Sequence, residues 1–287
     1  MSEILKLSNS AIDRFVQCPR SFYWDYIAKE KPPKGNVRDF YGHYGTLMHF
    51  FAEMYPRTNV EHETGFDFKP TDLEKIGYKP EIEQYLEAYA NQLMENKIKL
   101  DVEKMLVIYN QLFPMINFES EKTKQEYYLQ GVHYIEQIPD KDWTKIVGLE
   151  QYFRVDLGNG VVPITGVIDK IERDEQGLIV TDYKTSKPYS ANDMVKKNQL
   201  PLYGMACYFL YGELPYKYRY DFVRFDKVVE VEIPLQRLTD VKNAIAFRYA
   251  QMLAFEKEGN FPTLYNDFFC KSFCPFKDSC ETYKQYN

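Results

Sequence analysis

Between Ile146 and Lys187 apolar and polar residues alternate with the period of two that marks β-strands, whereas on either side the apolar spacing is mostly three to four and helical. Ile146 to Val155 reads as a first strand and Leu157-Gly158-Asn159-Gly160 as a turn. Val167, Ile168 and Ile171, then Leu178, Ile179 and Val180, form two more strands joined through Asp174-Glu175-Gln176-Gly177, which makes a three-strand meander. A turn symmetric about Glu175 and Gln176 sets Asp169 directly opposite Asp182. Strand alternation then brings Lys184 onto their face. A second hairpin is predicted over Tyr218 to Phe225 and Val228 to Ile233, around Asp226-Lys227.

Helical patterns bracket these strands. Ser10 is the expected cap of a short first helix, which Cys18-Pro19 ends because proline disfavours helical geometry in the residue before it. Ser21 to Ile27 reads as a second, aromatic helix, and Lys29 to Gly35, with two prolines, as a loop. Gly45 to Met54 has helical spacing and places His49 and Glu53 on one face. From about 57 to 140 the pattern is a tyrosine-rich helical insertion without a chemical motif, Pro80 opening one helix and Pro114 falling near the end of another. Asn192 to Leu210 is helical, with a fresh start or kink near Gln199 imposed by Pro201, and Gln199 and Tyr203 share a face. Thr239 is the expected cap of a long helix ending at Gly259. No repeat or low-complexity segment suggests a solenoid or a disordered linker, and the chain is expected to be one domain over 1–287, with the helical insertion at about 57–140 and a cysteine-rich element at 261–287.

Composition narrows the class. A chain of 287 residues, 45% of them hydrophobic, can bury a sizeable core. No apolar run approaches membrane-spanning length and the N-terminus lacks a secretion-signal pattern, so an intracellular, reducing, cytoplasmic setting without a membrane partner is expected. Five cysteines, an odd number, argue against a disulfide framework and for metal ligands or reduced thiols. The net charge of −6 counts against general coating of nucleic acid. Arg14, Arg20, Lys184, Lys187, Lys196 and Lys197 still gather near the meander and the N-terminus, although solvated surface is the usual fate of such residues. With 25 Tyr and 20 Phe the chain has material for stacking unpaired bases as well as for packing.

Two opposed carboxylates destabilise a sheet unless a cation lies between them, and a divalent ion is the natural answer. Oxygen ligands from Asp169 and Asp182 with an imidazole from His49 suit Mg²⁺ or Mn²⁺. Such an ion polarises a phosphoryl oxygen and acidifies water, while a nearby lysine stabilises developing negative charge, which is the chemistry of phosphodiester hydrolysis. An isolated D-x-K on a strand is more often an edge salt bridge, and an isolated helical histidine more often a satisfied core residue. Here Asp169 in register, His49, and the Gln199–Tyr203 pair accompany it.

The order Gly166-x-x-Asp169, Asp182-Tyr183-Lys184-Thr185 and Gln199-x-x-x-Tyr203 resembles the PD-(D/E)XK nuclease superfamily in its RecB-like branch, which includes AddB-type nuclease domains and CRISPR-associated exonucleases. His49 and an N-terminal S-x-S…C-P element at Ser8, Ser10, Cys18 and Pro19 belong to the same resemblance, which skips roughly 57–140. It implies an α/β fold with a restriction-endonuclease-like core, a mixed central sheet flanked by helices. It further implies Asp169, Asp182, His49 and the Tyr183 main-chain carbonyl as metal ligands, and Lys184 as the catalytic lysine. Gln199 and Tyr203 would support the site and contact DNA. Glu150 sits where relatives often carry an acid, against a plain reading as a solvent-facing strand glutamate.

Cys270-x3-Cys274-x5-Cys280 is one ligand short of a tetrahedral set, and Cys18 is the obvious fourth. In the family resembled, four cysteines arranged this way hold a [4Fe–4S] cluster that staples the N- and C-termini together; zinc is the alternative. Relatives usually have two residues between the first two tail cysteines, and here there are three. Cys207, in an apolar helical run, reads as a buried thiol. The expected activity is metal-dependent exonuclease cleavage of DNA, single-stranded or with a free end, with a helicase or recombination protein as possible partner. The competing reading, an accessory DNA-binding subunit without turnover, would be favoured by loss of an acid or of the lysine, and all are present.

Overall fold

A computed structural model describes residues 4–28, 40–60, 81–158 and 160–286. The expected loop from Lys29 to Gly35, the helix start at Pro80, Asn159 in the first turn, and 61–80 of the expected insertion lie outside the described residues.

The chain opens with helices α1 (Asn9–Gln17) and α2 (Pro19–Phe22), the latter continuing as a single wide turn, Tyr23–Ile27. Ser8, not Ser10, caps α1: its hydroxyl accepts the Ala11 N–H, and its extended backbone leaves Asn9 free to start the helix. Pro19 then opens α2, where a missing N–H costs nothing. Four helices follow, α3 (Phe40–Asn59), α4 (Glu81–Glu95), α5 (Val102–Leu112) and α6 (Glu121–Gln137). Asp101 and Ser120 cap the last two.

Strands β1 (Ile146–Val155), β2 (Ile164–Asp174) and β3 (Gly177–Lys184) form the antiparallel meander expected from the alternation. After β3 the chain crosses over through α7 (Ala191–Lys196) and α8 (Gln199–Tyr211) to β4 (Lys217–Phe222), which therefore pairs parallel to β3. β5 (Lys227–Val231) pairs antiparallel to β4. The sheet order is β1-β2-β3-β4-β5, a mixed five-stranded sheet flanked by helices.

The second hairpin differs in its connection from the expected tight turn. Phe222 already pairs with Lys227, so Val223–Phe225 coil into a short helical turn and Asp226 takes φ +45° to close it. The long helix α9 (Leu235–Glu258) starts four residues before Thr239, behind Pro234, whose φ of −67° suits a helix entry. Thr239 therefore lies inside the helix, its hydroxyl turned back to the Leu235 carbonyl. Gly259 ends α9 at φ +65°, as expected. Short helices α10 (Asp267–Ser272) and α11 (Glu281–Tyr286) complete the tail.

Two apolar cores sandwich the sheet. One joins α1, α8 and α9 to β2, β3 and β4 through residues such as Phe15, Ala206, Ile245, Ile168, Val180 and Tyr220. The other joins α3 to α6 to Ile146, Leu149 and Tyr183. Each large apolar side chain buried in this way contributes about 1.5–3 kcal/mol. Gly166 is required by packing: its cross-strand partner Phe153 folds over it, and a Cβ there would stand 2.6 Å from Phe153 Cζ. No helix among the described residues is long and apolar enough to cross a membrane.

Candidate active site

The β2–β3 ladder runs from Asp174↔Gly177 to Lys170↔Thr181, the register that a symmetric turn dictates, and closes just short of Asp169 and Asp182. At that point the Asp169 carboxylate enters the ladder itself, Oδ2 accepting the Tyr183 N–H at 2.7 Å. Both aspartates are buried, Asp182 completely. Burial pushes the Asp182 carboxyl up to about 6, against the pull of Lys184, and raises Asp169 for the same reason.

Lys184 Nζ stands 2.6 Å from Asp182 Oδ2 and donates to Gln199 Oε1 at 2.7 Å. Gln199 Nε2 in turn donates to the Tyr203 hydroxyl at 2.9 Å. The N-terminal turn of α8 thus supplies a second hold on the ammonium beside Asp182. Burial alone would lower the Lys184 pKa, but Asp182 and Asp169 outweigh it and the group stays protonated. Tyr183, between the two, points its ring to the other face of β3, edge-on to the His49 imidazole at 5.7 Å between centroids.

His49 reaches the site from α3. Its Nδ1 lies 3.6 Å from Glu150 Oε1 and 4.0 Å from Asp169 Oδ1. The expected neighbour Glu53 turns away and pairs with Arg57 at 2.6 Å. Burial disfavours the charged imidazole, yet the Asp169 and Glu150 carboxylates reverse this and raise its pKa to about 9.

Glu150, for which sequence allowed a solvent-facing role, belongs to this cluster. It lies within β1 with a φ of +44°, an uncommon backbone for a glutamate in a strand. His49, Glu150 and Asp169 each offer a ligand atom, all within 4.8 Å of one another, and among the described residues they are the group of three that does so. Asp182 lies beside this triad and spends one oxygen on Lys184; neither of its buried oxygens has a hydrogen-bond partner in good geometry. Three carboxylates and an imidazole, with an orphaned buried oxygen, form a donor set for a hard divalent cation.

The basic residues noted in the sequence are distributed around this region. Arg14 pairs with Asp25, Lys196 with Asp193, and Arg20 donates to Asn260. Lys197 lies over the Tyr189 ring, and Lys187 is exposed.

A second constellation joins the ends of the chain. Cys18, at the close of α1, lines one small cavity with Cys270, Cys274 and Cys280 of the tail, beside Trp24 and Phe269. Burial raises the Cys270 and Cys274 thiols, and neighbouring thiols add to the effect. Cys207 is buried apart from them in the first core, its thiol pushed up to about 12 by burial.

One more buried group near the site went unremarked in the sequence. Arg224 bridges the Thr185 carbonyl to α6, and only the fold brings those segments together.

Comparison with known proteins identifies a family for the chain. A model of the PD-(D/E)XK nuclease superfamily matches residues 6–281. Among solved structures, the chain is similar to a protein from Eubacterium rectale named "Putative exonuclease", at 11% identity and a TM-score of 0.47, covering 99% of this chain and 88% of that one. No curated protein sequence matches.

Proposed function

The chain belongs to the PD-(D/E)XK nuclease superfamily, and from that premise we propose that it is a divalent-metal-dependent DNA exonuclease acting on single-stranded ends. The observation that carries the reading is Asp182: a fully buried carboxylate with an unpartnered oxygen, salt-bridged to Lys184 and placed next to the His49–Glu150–Asp169 triad. Lys184 answers one oxygen of this acid, and a buried carboxylate oxygen left without a donor is costly unless a cation completes its surroundings.

Asp169, Asp182, Glu150 and His49 would hold Mg²⁺ or Mn²⁺, with the Tyr183 main-chain carbonyl as a further ligand. Bound there, the ion supplies Lewis-acid polarisation of the scissile phosphate. Lys184 brings a fixed positive charge to the negative charge that develops at phosphorus oxygens during hydrolysis. Gln199 keeps that ammonium in place, and Tyr203 keeps Gln199 in place, so α8 acts as the support of the lysine. The preference for single-stranded ends draws on the resemblance and on the exposed aromatics, among them Phe268 and Tyr208.

The cysteine cavity would hold a [4Fe–4S] cluster. The preference for a cluster over zinc draws on the resemblance, and the shared lining of one cavity by Cys18, Cys270, Cys274 and Cys280 supports a common ligand. Its role is a staple, since it closes a loop of nearly the whole chain.

The test is digestion of a single-stranded oligonucleotide, labelled separately at each end, with Mg²⁺ or Mn²⁺. Stepwise shortening that Asp182→Asn abolishes is expected. Cleavage by Asp182→Asn at the rate of the unmutated chain would refute the site.

A further inference from the structure

Lys184 is held by Asp182 and Gln199, but the strand that carries it must also end in the right place. β3 stops at Lys184, and the next residue, Thr185, is free of the sheet ladder. Phe222, the parallel neighbour of Lys184, is the last residue of β4, and the helical turn that follows it carries Arg224.

Arg224 is buried, 6% exposed, and its guanidinium is used on every side. Nη1 donates to the Thr185 carbonyl at 3.0 Å, and Nε donates to Gln130 Oε1 at 2.8 Å. Nη2 lies 3.6 Å from Glu126 Oε1, and the plane stacks on the Tyr127 ring with Cζ 3.4 Å from its centroid. Three of these partners lie on α6, in the helical region without a chemical motif; the fourth is the carbonyl of the first residue after the lysine. Thr185 also lies against α3: a Cβ at Gly45, one turn before His49, would stand 3.5 Å from Thr185 Oγ1. A guanidinium that needed only to be satisfied could have been satisfied within α6. This one spans from α6 to the carbonyl that fixes where Lys184 ends, and a planar fork does so with a rigidity that an ammonium lacks.

We infer that Arg224 is a positioning residue for the nuclease centre: it clamps Thr185 to α6 and thereby sets Lys184 relative to Asp182, and the helical region is the buttress of the active site. The inference rests on the proposed nuclease activity and on Lys184 as the residue that acts. It assigns no contact with DNA to Arg224.

The experiment is a double-mutant cycle on the full chain, with Mn²⁺ and an end-labelled single-stranded oligonucleotide. Arg224→Lys keeps the charge and loses the fork, and is expected to lower kcat about 10- to 100-fold, as small misplacements of acting groups do. KM should stay within about twofold, because no substrate contact is removed. Gln199→Leu releases Lys184 from its other side. If both residues act through Lys184, the double variant falls short of the product of the single effects by about fivefold or more. Effects that multiply in full, or a kcat for Arg224→Lys within about twofold of the parent, would overturn the inference while leaving the activity standing. If Arg224→Lys does not fold, Gln130→Leu, which removes only the acceptor of Nε, takes its place in the same cycle with the same criteria. A parent chain that does not cleave would refute the nuclease reading, and the inference with it.

Discussion

The ammonium of Lys184 lies 2.6 Å from Asp182 Oδ2, two residues back on the same face of β3. Strand periodicity alone dictates that the two share a face. Their depth, and the Gln199 side chain that closes on the ammonium at 2.7 Å, come from the packing of α8 over the sheet.

Removing the acting charge and removing its support should differ in size. Lys184→Ala is expected to lower kcat by about 10²- to 10³-fold, the cost of losing one preorganised stabilising group. Gln199→Leu should cost about tenfold, since the salt bridge to Asp182 survives. Single-turnover cleavage of labelled DNA measures both, and a larger loss for Gln199→Leu than for Lys184→Ala would reverse the assignment.

The pH dependence of the metal-free protein has a fixed sign. The pKa of His49 is raised to about 9 and that of Asp182 to about 6, both above their ordinary values. A group raised in the folded state contributes stability at low pH and loses it as pH climbs through the folded pKa. Metal-free protein should therefore melt at lower temperature at pH 9 than at pH 6. Metal binding displaces the His49 proton, so Mn²⁺ affinity should rise by up to about tenfold per pH unit below pH 9. Melting curves with and without Mn²⁺ across this range measure both trends, and a stabilisation by Mn²⁺ that shrinks with rising pH would contradict them.

Loss of the cysteine staple should weaken the fold more than the chemistry. Cys274→Ser, at a buried position in the four-cysteine cavity, is expected to bleach visible absorption of anaerobically purified protein and to lower Tm by several degrees, about 2–4 °C per kcal/mol. Absorption spectroscopy and calorimetry check this. A colourless parent carrying stoichiometric zinc would replace the cluster by zinc, and an unchanged Tm would remove the staple role.

Gly166→Ala should destabilise the sheet by about 1–3 kcal/mol, because the new methyl meets the Phe153 ring and overpacked cores pay such amounts. Urea unfolding measures the cost. Phe153→Leu in the same chain should recover part of it, whereas full destabilisation in both backgrounds would place the strain elsewhere.

The sequence by itself determined the meander, because alternation with period two and the turn Asp174 to Gly177 leave one register that buries Ile171 and Val180, and that register puts Asp169 at the level of Asp182. It also determined the family, since the order of Asp169, Asp182, Lys184, Gln199 and Tyr203 is a linear property of the chain. Helix starts were less legible: Ser8 and Ser10 are both good caps, and only the backbone of Ser8 selects between them. What the tertiary structure decided are the contacts between elements. His49 has Glu53 as its helical neighbour in sequence, yet it faces Glu150, which the packing of α3 against β1 brings to 3.6 Å. The same is true of Arg224, whose partners on α6 and after β3 lie far away along the chain. Periodicity reports which face of an element is buried, but which two faces meet depends on how the elements pack, and no local pattern encodes that.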